Sequence, residues 1–359
     1  MTLALVFGTR PEIIKMSPVI RECERLHHDF FLVHSGQHYS YEMDRVFFEQ
    51  LELPEPRFRL EVGSGSHAEQ TGRILVGAEK VLREEQPSMV LVQGDTNSTL
   101  AGALAAVKLH LAVGHIEAGL RSYDRRMPEE INRVVTDHCA DLLFAPTEKS
   151  RGILLGEGIS PEHVFVTGNT IADAVVQHLR LAEEKVNVFT ELGLKKNEYV
   201  LATVHRQENV DDRKRFHDIL KGLGRLHREF GLPVVYPMHP RARKMASEFG
   251  FLFDELHVVE PVDFLRFLQL EEHARVVVTD SGGVQEESCI LGVPCVTLRD
   301  NTERPETLEV GANVLAGTDP DHIVGCVREM MDAQRRWESP FGDGTAGQQI
   351  VRLVQEAEA

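Results

Sequence analysis

Apolar residues fall in short unbroken runs along this chain, without strict alternation. Leu3–Phe7, Phe30–Ser35, Met89–Val92, Ala112–Ile116, Leu142–Ala145 and Val164–Thr167 recur with helix-length intervals between them. Such runs are the signature of strands buried on both faces, and strands separated by helical intervals build a parallel α/β sheet. A helical stretch then runs from Thr170 to about Lys185, and residues 187–197, with mixed charge and breaker residues, carry the crossing to a second series. That series is Tyr199–Val204, Pro233–Pro237, Leu256–Val259, Arg275–Thr279 and Pro294–Leu298. The pattern predicts two Rossmann-like domains, 1–168 and 169–346. Ile350, Val351, Leu353 and Val354 predict a last amphipathic helix, 347–359, that packs back on the first domain.

Composition narrows the partners. A formal charge of -17 opposes broad binding to nucleic acid or to an anionic membrane, either of which requires an extended basic face. No apolar run approaches the roughly 18 residues that span a bilayer. The N-terminal run from Thr2 to Phe7 lacks a basic leader and is the first strand, not a signal segment. Five scattered cysteines with no CxxC pair indicate reduced thiols and a cytoplasmic setting.

Candidate chemistry clusters after the strands, where open α/β sheets bind ligands. Gly94-Asp95-Thr96-Asn97-Ser98-Thr99 and His115-Ile116-Glu117-Ala118-Gly119 place Asp95 and Glu117 at successive strand ends, and Pro128-Glu129-Glu130 adds two carboxylates at a helix start. Asp95 has a competing reading as the N-cap of the next helix, and the two glutamates as partners of a helix dipole. Crowded carboxylates in a closing cleft suit proton transfer. Gly8-Thr9-Arg10-Pro11-Glu12 matches neither GxGxxG nor a P-loop, but Arg10 and Lys15 at a helix mouth make an anion pocket. In the second domain Ser281-Gly282-Gly283 lets backbone approach a phosphate at a helix start, with Glu287 one turn on to hold ribose hydroxyls. His205 and His239 follow the first and second strands of that domain and suit phosphate binding or proton donation. His115 and Glu117 share a strand face, yet no third ligand at metal spacing accompanies them.

Taken in order, GTRPEIIKMSPVI at 8–20, GDTNSTLAGALAA at 94–106, HIEAGLRS at 115–122, MPEEINR at 127–133, HRQEN at 205–209, MHPR at 238–241, DSGGVQEE at 280–287 and RDNTERPE at 299–306 resemble the non-hydrolysing UDP-N-acetylglucosamine 2-epimerases over nearly the whole chain. The resemblance implies a glycosyltransferase-B-like fold with the active site in the interdomain cleft. It also implies interconversion of UDP-GlcNAc and UDP-ManNAc: anti elimination of UDP to a 2-acetamidoglucal, then re-addition with C2 protonated on the opposite face. That route uses no metal and no nicotinamide. Carried residue by residue, it implies proton transfer by Asp95, Glu117 and Glu129, with His205 assisting at the diphosphate. The ligand-holding set is Arg10, Lys15, His239, Ser281, Gly282, Gly283, Glu287 and Arg304. Register alone selects Glu129 over Glu130. A homodimer is the family expectation. Gln37-His38-Tyr39-Ser40 departs from the QHRQ segment tied to substrate activation in some bacterial members. SYEMDRVFFEQL and VGSGSH are similar to epimerases of UDP-2,3-diacetamido-glucuronic acid, which makes that sugar nucleotide a second candidate substrate. The same fold also accommodates a hydrolysing epimerase or a glycosyltransferase.

Overall fold

The computed structural model describes residues 2–36, 41–333 and 335–358. The segment Gln37-His38-Tyr39-Ser40 lies outside them. Two compact units divide the chain, Met1–Val176 with Phe341–Ala359, and Gln177–Pro340.

The first unit carries a seven-stranded sheet: β1 (Thr2–Phe7), β2 (Asp29–His34), β3 (Phe58–Arg59), β4 (Met89–Gln93), β5 (Ala112–Ile116), β6 (Leu142–Ala145) and β7 (Val164–Val166). Its order is β3-β2-β1-β4-β5-β6-β7, with every pairing parallel. β4 is buried along its whole length, which is why it reads as an unbroken apolar run. The second unit carries β8 (Val200–Thr203), β9 (Val234–Pro237), β10 (His257–Val259), β11 (Val276–Thr279), β12 (Cys295–Thr297) and β13 (Asn313–Leu315), ordered β10-β9-β8-β11-β12-β13 and again all parallel. β3 and β13, absent from the sequence pattern, are edge strands of two and three residues. Runs that short carry no periodicity to read.

In both sheets the strand order reverses next to the first strand of the unit, between β1 and β4 and between β8 and β11. Such a switch point splays the flanking loops apart and leaves a crevice at the carboxyl ends of the strands. Gly8 to Lys15 and Asp95 follow β1 and β4. His205 and Ser281 follow β8 and β11.

Residues 169–176 and 341–346, which the sequence pattern groups with the second domain, belong to the first unit. Asn169 N donates to the Phe341 carbonyl at 2.9 Å, and the Asp173 carboxylate accepts from Ala346 N at 3.1 Å and Gly347 N at 2.9 Å. Asp173 thus caps the helix Ala346–Glu358, which packs against the helix Arg10–Arg25. The two approach so closely that a Cβ on Gly347 would lie 2.9 Å from the backbone of Pro18. Among the described residues no helix is long and apolar enough to cross a membrane.

Candidate active site

The first cluster grows from the turn after β1. A Cβ on Gly8 would lie 1.7 Å from Ser35 Oγ and 2.5 Å from Ser98 Oγ, so only glycine lets β1 end so close to its neighbours. Glu12, in the first turn of the next helix, is buried and accepts from Gly8 N (3.0 Å), Thr9 Oγ1 (2.8 Å), Thr96 Oγ1 (2.8 Å) and Thr99 Oγ1 (3.2 Å). Burial holds this carboxyl above its usual range, and the four donors act against that. Glu12 therefore ties the turn after β1 to the turn after β4. The Thr-x-x-Glu spacing of a capping box, Thr9 to Glu12, was the available signal for it.

After β4, Thr96 and not Asp95 caps the helix Asn97–Lys108, through a capping box with Thr99. Asp95 is left with its carboxylate for other work. Arg133 Nη2 meets Asp95 Oδ2 at 2.5 Å and its Nη1 meets Glu130 Oε2 at 2.9 Å, while Asn132 Nδ2 donates to the Asp95 carbonyl at 2.9 Å. The helix Pro128–Cys139 thus grips the Asp95 turn by two successive residues.

The adjacent glutamates of that helix separate cleanly. Glu130 is buried and accepts from Ser122 N (2.8 Å), Ser122 Oγ (2.9 Å) and Tyr123 N (2.9 Å) in addition to Arg133. Burial is the largest influence on its carboxyl and raises it, but these donors together outweigh it and hold the group below the ordinary range. Glu130 is fully occupied in holding a loop. The half-buried Glu129 carboxylate makes no hydrogen bond or ion pair among the described residues.

Glu117 follows β5 with a left-handed backbone, φ +71°, and is only 7 % exposed. A non-glycine residue held there stores strain, which persists where surroundings over-determine it. Here Lys15 Nζ donates to Glu117 Oε1 at 2.6 Å, Gln93 Nε2 donates to Oε2, and Asn169 Nδ2 lies 3.4 Å from Oε1. Lys15, expected to hold a ligand anion, thus faces this carboxylate, and Gln93 and Asn169 are members of the site that sequence reading missed. Arg10 lies over the Phe47 ring, 5.0 Å from its centroid.

The second cluster is built on Asp280, also missed, at the end of β11 and fully buried. It accepts from His205 N (3.1 Å), Arg206 N (3.0 Å) and Asn209 Nδ2 (3.0 Å), and His205 Nδ1 lies 3.0 Å from Oδ1. Burial, the largest influence, raises its carboxyl, and His205, Asn209 and the amides reverse that to a value below the usual range. With Nδ1 facing Asp280, the partly exposed His205 ring presents Nε2. The His239 ring stands 5.9 Å from it and accepts from Arg241 N through Nδ1 at 3.2 Å, so its Nε2 carries the proton. Burial first, and then His205 and Arg241, hold His239 below the usual histidine range.

Ser281 caps the helix Gly282–Ile290, its Oγ accepting from Val284 N at 3.5 Å. Gly283 is exposed, and a Cβ there would meet nothing closer than 3.9 Å, leaving the helix start open to a ligand. Arg304 pairs with buried Glu286, Nε to Oε1 2.7 Å. Glu287 is buried beside Glu271, whose carboxyl accepts from Ser288 Oγ at 2.8 Å. Burial first and the Glu287 charge second hold Glu271 well above the ordinary value of 4.5. The folded state thus keeps a proton that the unfolded chain releases, so stability is lost as pH rises from 4.5 toward the folded value. Glutamine reproduces the protonated acid. Glu271→Gln is expected to raise the melting midpoint at about pH 8 by roughly 2–8 °C, each kcal/mol moving a domain of this size about 2–4 °C. The gain should shrink toward about pH 5, and melts at the two pH values test it: an equal gain at both, or a loss at the higher one, is the contrary result.

Two doubly wound parallel domains, one with buried carboxylates at its switch point and the other with an open helix start beside two histidines, define an α/β enzyme of the glycosyltransferase-B-like class. The family model for UDP-N-acetylglucosamine 2-epimerase matches residues 21–355. The UDP-N-acetylglucosamine 2-epimerase of Methanocaldococcus jannaschii is 51 % identical over 362 residues, covering 99 % of each chain. The UDP-2,3-diacetamido-2,3-dideoxy-D-glucuronate 2-epimerase of Pseudomonas aeruginosa is 40 % identical over 358 residues, again covering 99 % of each. Among solved structures, that of the M. jannaschii UDP-GlcNAc 2-epimerase in complex with UDP-GlcNAc and UDP superimposes with a TM-score of 0.88 at 50 % identity, over 99 % of this chain and 100 % of the other. The chain belongs to the UDP-N-acetylglucosamine 2-epimerase family, and it is an isomerase.

Proposed function

We propose that this enzyme interconverts UDP-GlcNAc and UDP-ManNAc by the non-hydrolysing route. A carboxylate takes the C2 proton, the C1–O bond breaks with its electrons leaving on UDP, and the C2–H electrons form the C1=C2 bond of 2-acetamidoglucal. Reversal, with a proton delivered to the other face of C2, gives the epimer; nothing is oxidised and no water is consumed. The observation that carries the reading is Glu117: a strained, buried carboxylate clamped by Lys15, Gln93 and Asn169 at a switch point, one strand from the Asp95–Arg133 pair.

In this reading Glu117, Asp95 and Glu129 move protons at C2, and the unpartnered state of Glu129 favours it over Glu130. His205 serves the diphosphate, with Nε2 presented and Nδ1 fixed by Asp280. His239, the Ser281–Gly283 helix start, Arg10 and Arg304 hold phosphate, Glu287 holds ribose hydroxyls, and Lys15 orients Glu117 while completing the anion pocket. The identity to the UDP-GlcNAc enzyme, above that to the diacetamido-glucuronate enzyme, supports UDP-GlcNAc as the sugar nucleotide. A homodimer and a cytoplasmic setting complete the reading, supported by the prevalence of two-fold assembly and by the scattered cysteines.

The test is proton NMR of UDP-GlcNAc with the protein in deuterated water. The expected result is UDP-ManNAc carrying deuterium at C2, with no accumulation of UDP. Stoichiometric UDP and free ManNAc would show a hydrolysing enzyme instead. No exchange with UDP-GlcNAc, but exchange with the diacetamido-uronate, would reassign the substrate.

A further inference from the structure

His115 is fully buried in β5, and both of its ring nitrogens face oxygen. Nδ1 lies 2.6 Å from Asp137 Oδ1 and Nε2 lies 2.8 Å from the Gly94 carbonyl. A carbonyl oxygen only accepts, so Nε2 must carry a proton. Asp137 is an anion by its other contacts: Arg121 Nη1 at 2.7 Å and Gly119 N at 3.2 Å both meet Oδ2. A carboxylate facing a guanidinium stays ionised, so Nδ1 must also donate. A neutral ring would set a lone pair against an anion 2.6 Å away. The chain of charges continues outward, with Arg121 forking onto Glu157 at 2.8 and 2.6 Å, so two buried cations are matched by two carboxylates. Asp137 is held below the usual carboxyl range: burial, the largest influence, raises it, and His115 and Arg121 outweigh that.

The Gly94 carbonyl is one half of a clamp. Gly94 N donates to the Ile116 carbonyl at 3.0 Å, so β5 fixes both polar groups of Gly94, which turns through φ +76° just before Asp95. We propose that His115 is a positioning residue: its ring, fixed by Asp137 and through it by Arg121, locks the Gly94 peptide and so aims the Asp95 carboxylate at the sugar. The proposal rests on the reading that Asp95 takes part in proton transfer. His115 does not touch the substrate and does not itself move a proton.

The ring state is read in the wild-type protein, which avoids any variant that fails to fold. With ¹⁵N-labelled histidine, one of the 17 imidazoles should hold a slowly exchanging Nε2 proton, as a fully buried donor to a backbone carbonyl does. The positioning role is read kinetically. Both Asp137→Asn and His115→Gln should lower kcat by about 10–100-fold with KM for UDP-GlcNAc within about threefold, the scale of a catalytic group displaced by about 1 Å. Each variant should still bind UDP within about threefold of wild type, so that the loss falls on kcat and not on the fold. If no imidazole holds such a protected ring proton, or if Asp137→Asn keeps wild-type kcat, the proposal is overturned. Asp95→Asn separates the two layers: normal turnover in that variant overturns the role of Asp95 whatever the state of His115, whereas an inactive Asp95→Asn beside an unimpaired Asp137→Asn overturns the role of His115 alone.

Discussion

Glu117→Gln is expected to lower kcat for epimerisation by about 10²–10⁴-fold, the usual worth of a positioned proton-transfer group, while KM for UDP-GlcNAc stays within about threefold. The amide keeps the shape of the side chain and can still accept from Lys15 or Gln93 through its oxygen, but its nitrogen then faces a donor and Lys15 loses its anion, so some stability should be lost while UDP still binds. What it loses for the chemistry is basicity. C2 proton exchange in deuterated water should fall in step with turnover, because both pass through the same deprotonation. Glu130→Gln supplies the contrast. Its carboxylate accepts from Ser122, Tyr123 and Arg133 and serves the loop, so that variant should lose stability along with activity. Glu129→Gln should lose activity at an unchanged melting point. Wild-type exchange in Glu117→Gln would remove this carboxylate from the chemistry.

The second large effect is structural and lies in the other domain. Asp280→Ala removes a fully buried carboxylate and strands two backbone amides, the Asn209 side chain and the Nδ1 side of His205. Breaking such a buried charged network typically costs about 3–5 kcal/mol, and the expected result is a loss of that order in the second domain, measured by denaturant titration near neutral pH. The sign with pH follows from the depressed carboxyl. Its stabilisation is fully present above the ordinary value of 3.8 and disappears as pH falls through the lower folded value, so the gap between wild type and variant should close in acid. Nucleotide binding should weaken as well, since the His205 ring loses the group that orients it. A variant as stable as wild type at neutral pH would show that the amides find other partners.

The positions of most strands were legible because parallel strands covered on both faces are apolar along most of their length, as β1 is over Leu3–Phe7 and β4 over Met89–Val92. β3 and β13 were not, being edge segments too short to carry a pattern. Strand ends and glycines alone placed Arg10, Asp95, Glu117, His205, His239 and Ser281 after strands, whereas Arg304 and the choice of Glu129 came only from the resemblance. The structure brings Asp95 and Glu117 to neighbouring strand ends, β4 and β5, each facing a cation. What stayed hidden were the carboxylates whose meaning depends on distant partners. Glu12 is answered by Thr96 and Thr99, and Asp280 by residues more than seventy positions earlier. For Glu12 the local Thr9-x-x-Glu12 spacing hints at a cap and not at these distant partners, and nothing local distinguishes Asp280 from an ordinary helix-start acid. The same limit applied to Glu129 and Glu130, adjacent and chemically identical until the donors around Glu130 are counted.

The return of the helix Ala346–Glu358 onto the helix Arg10–Arg25 sets an order of assembly. During synthesis domains generally mature from the N-terminus as they emerge, yet the first domain here lacks its last helix until the whole of Gln177–Pro340 has been made. Until then the Pro18 face that receives Gly347 stays wet, and Asp173 has no amides to cap. The second domain is therefore able to finish before the first, and the nascent first domain, with Glu117 and Asp95 already translated, closes its core only once Ala346–Glu358 has emerged.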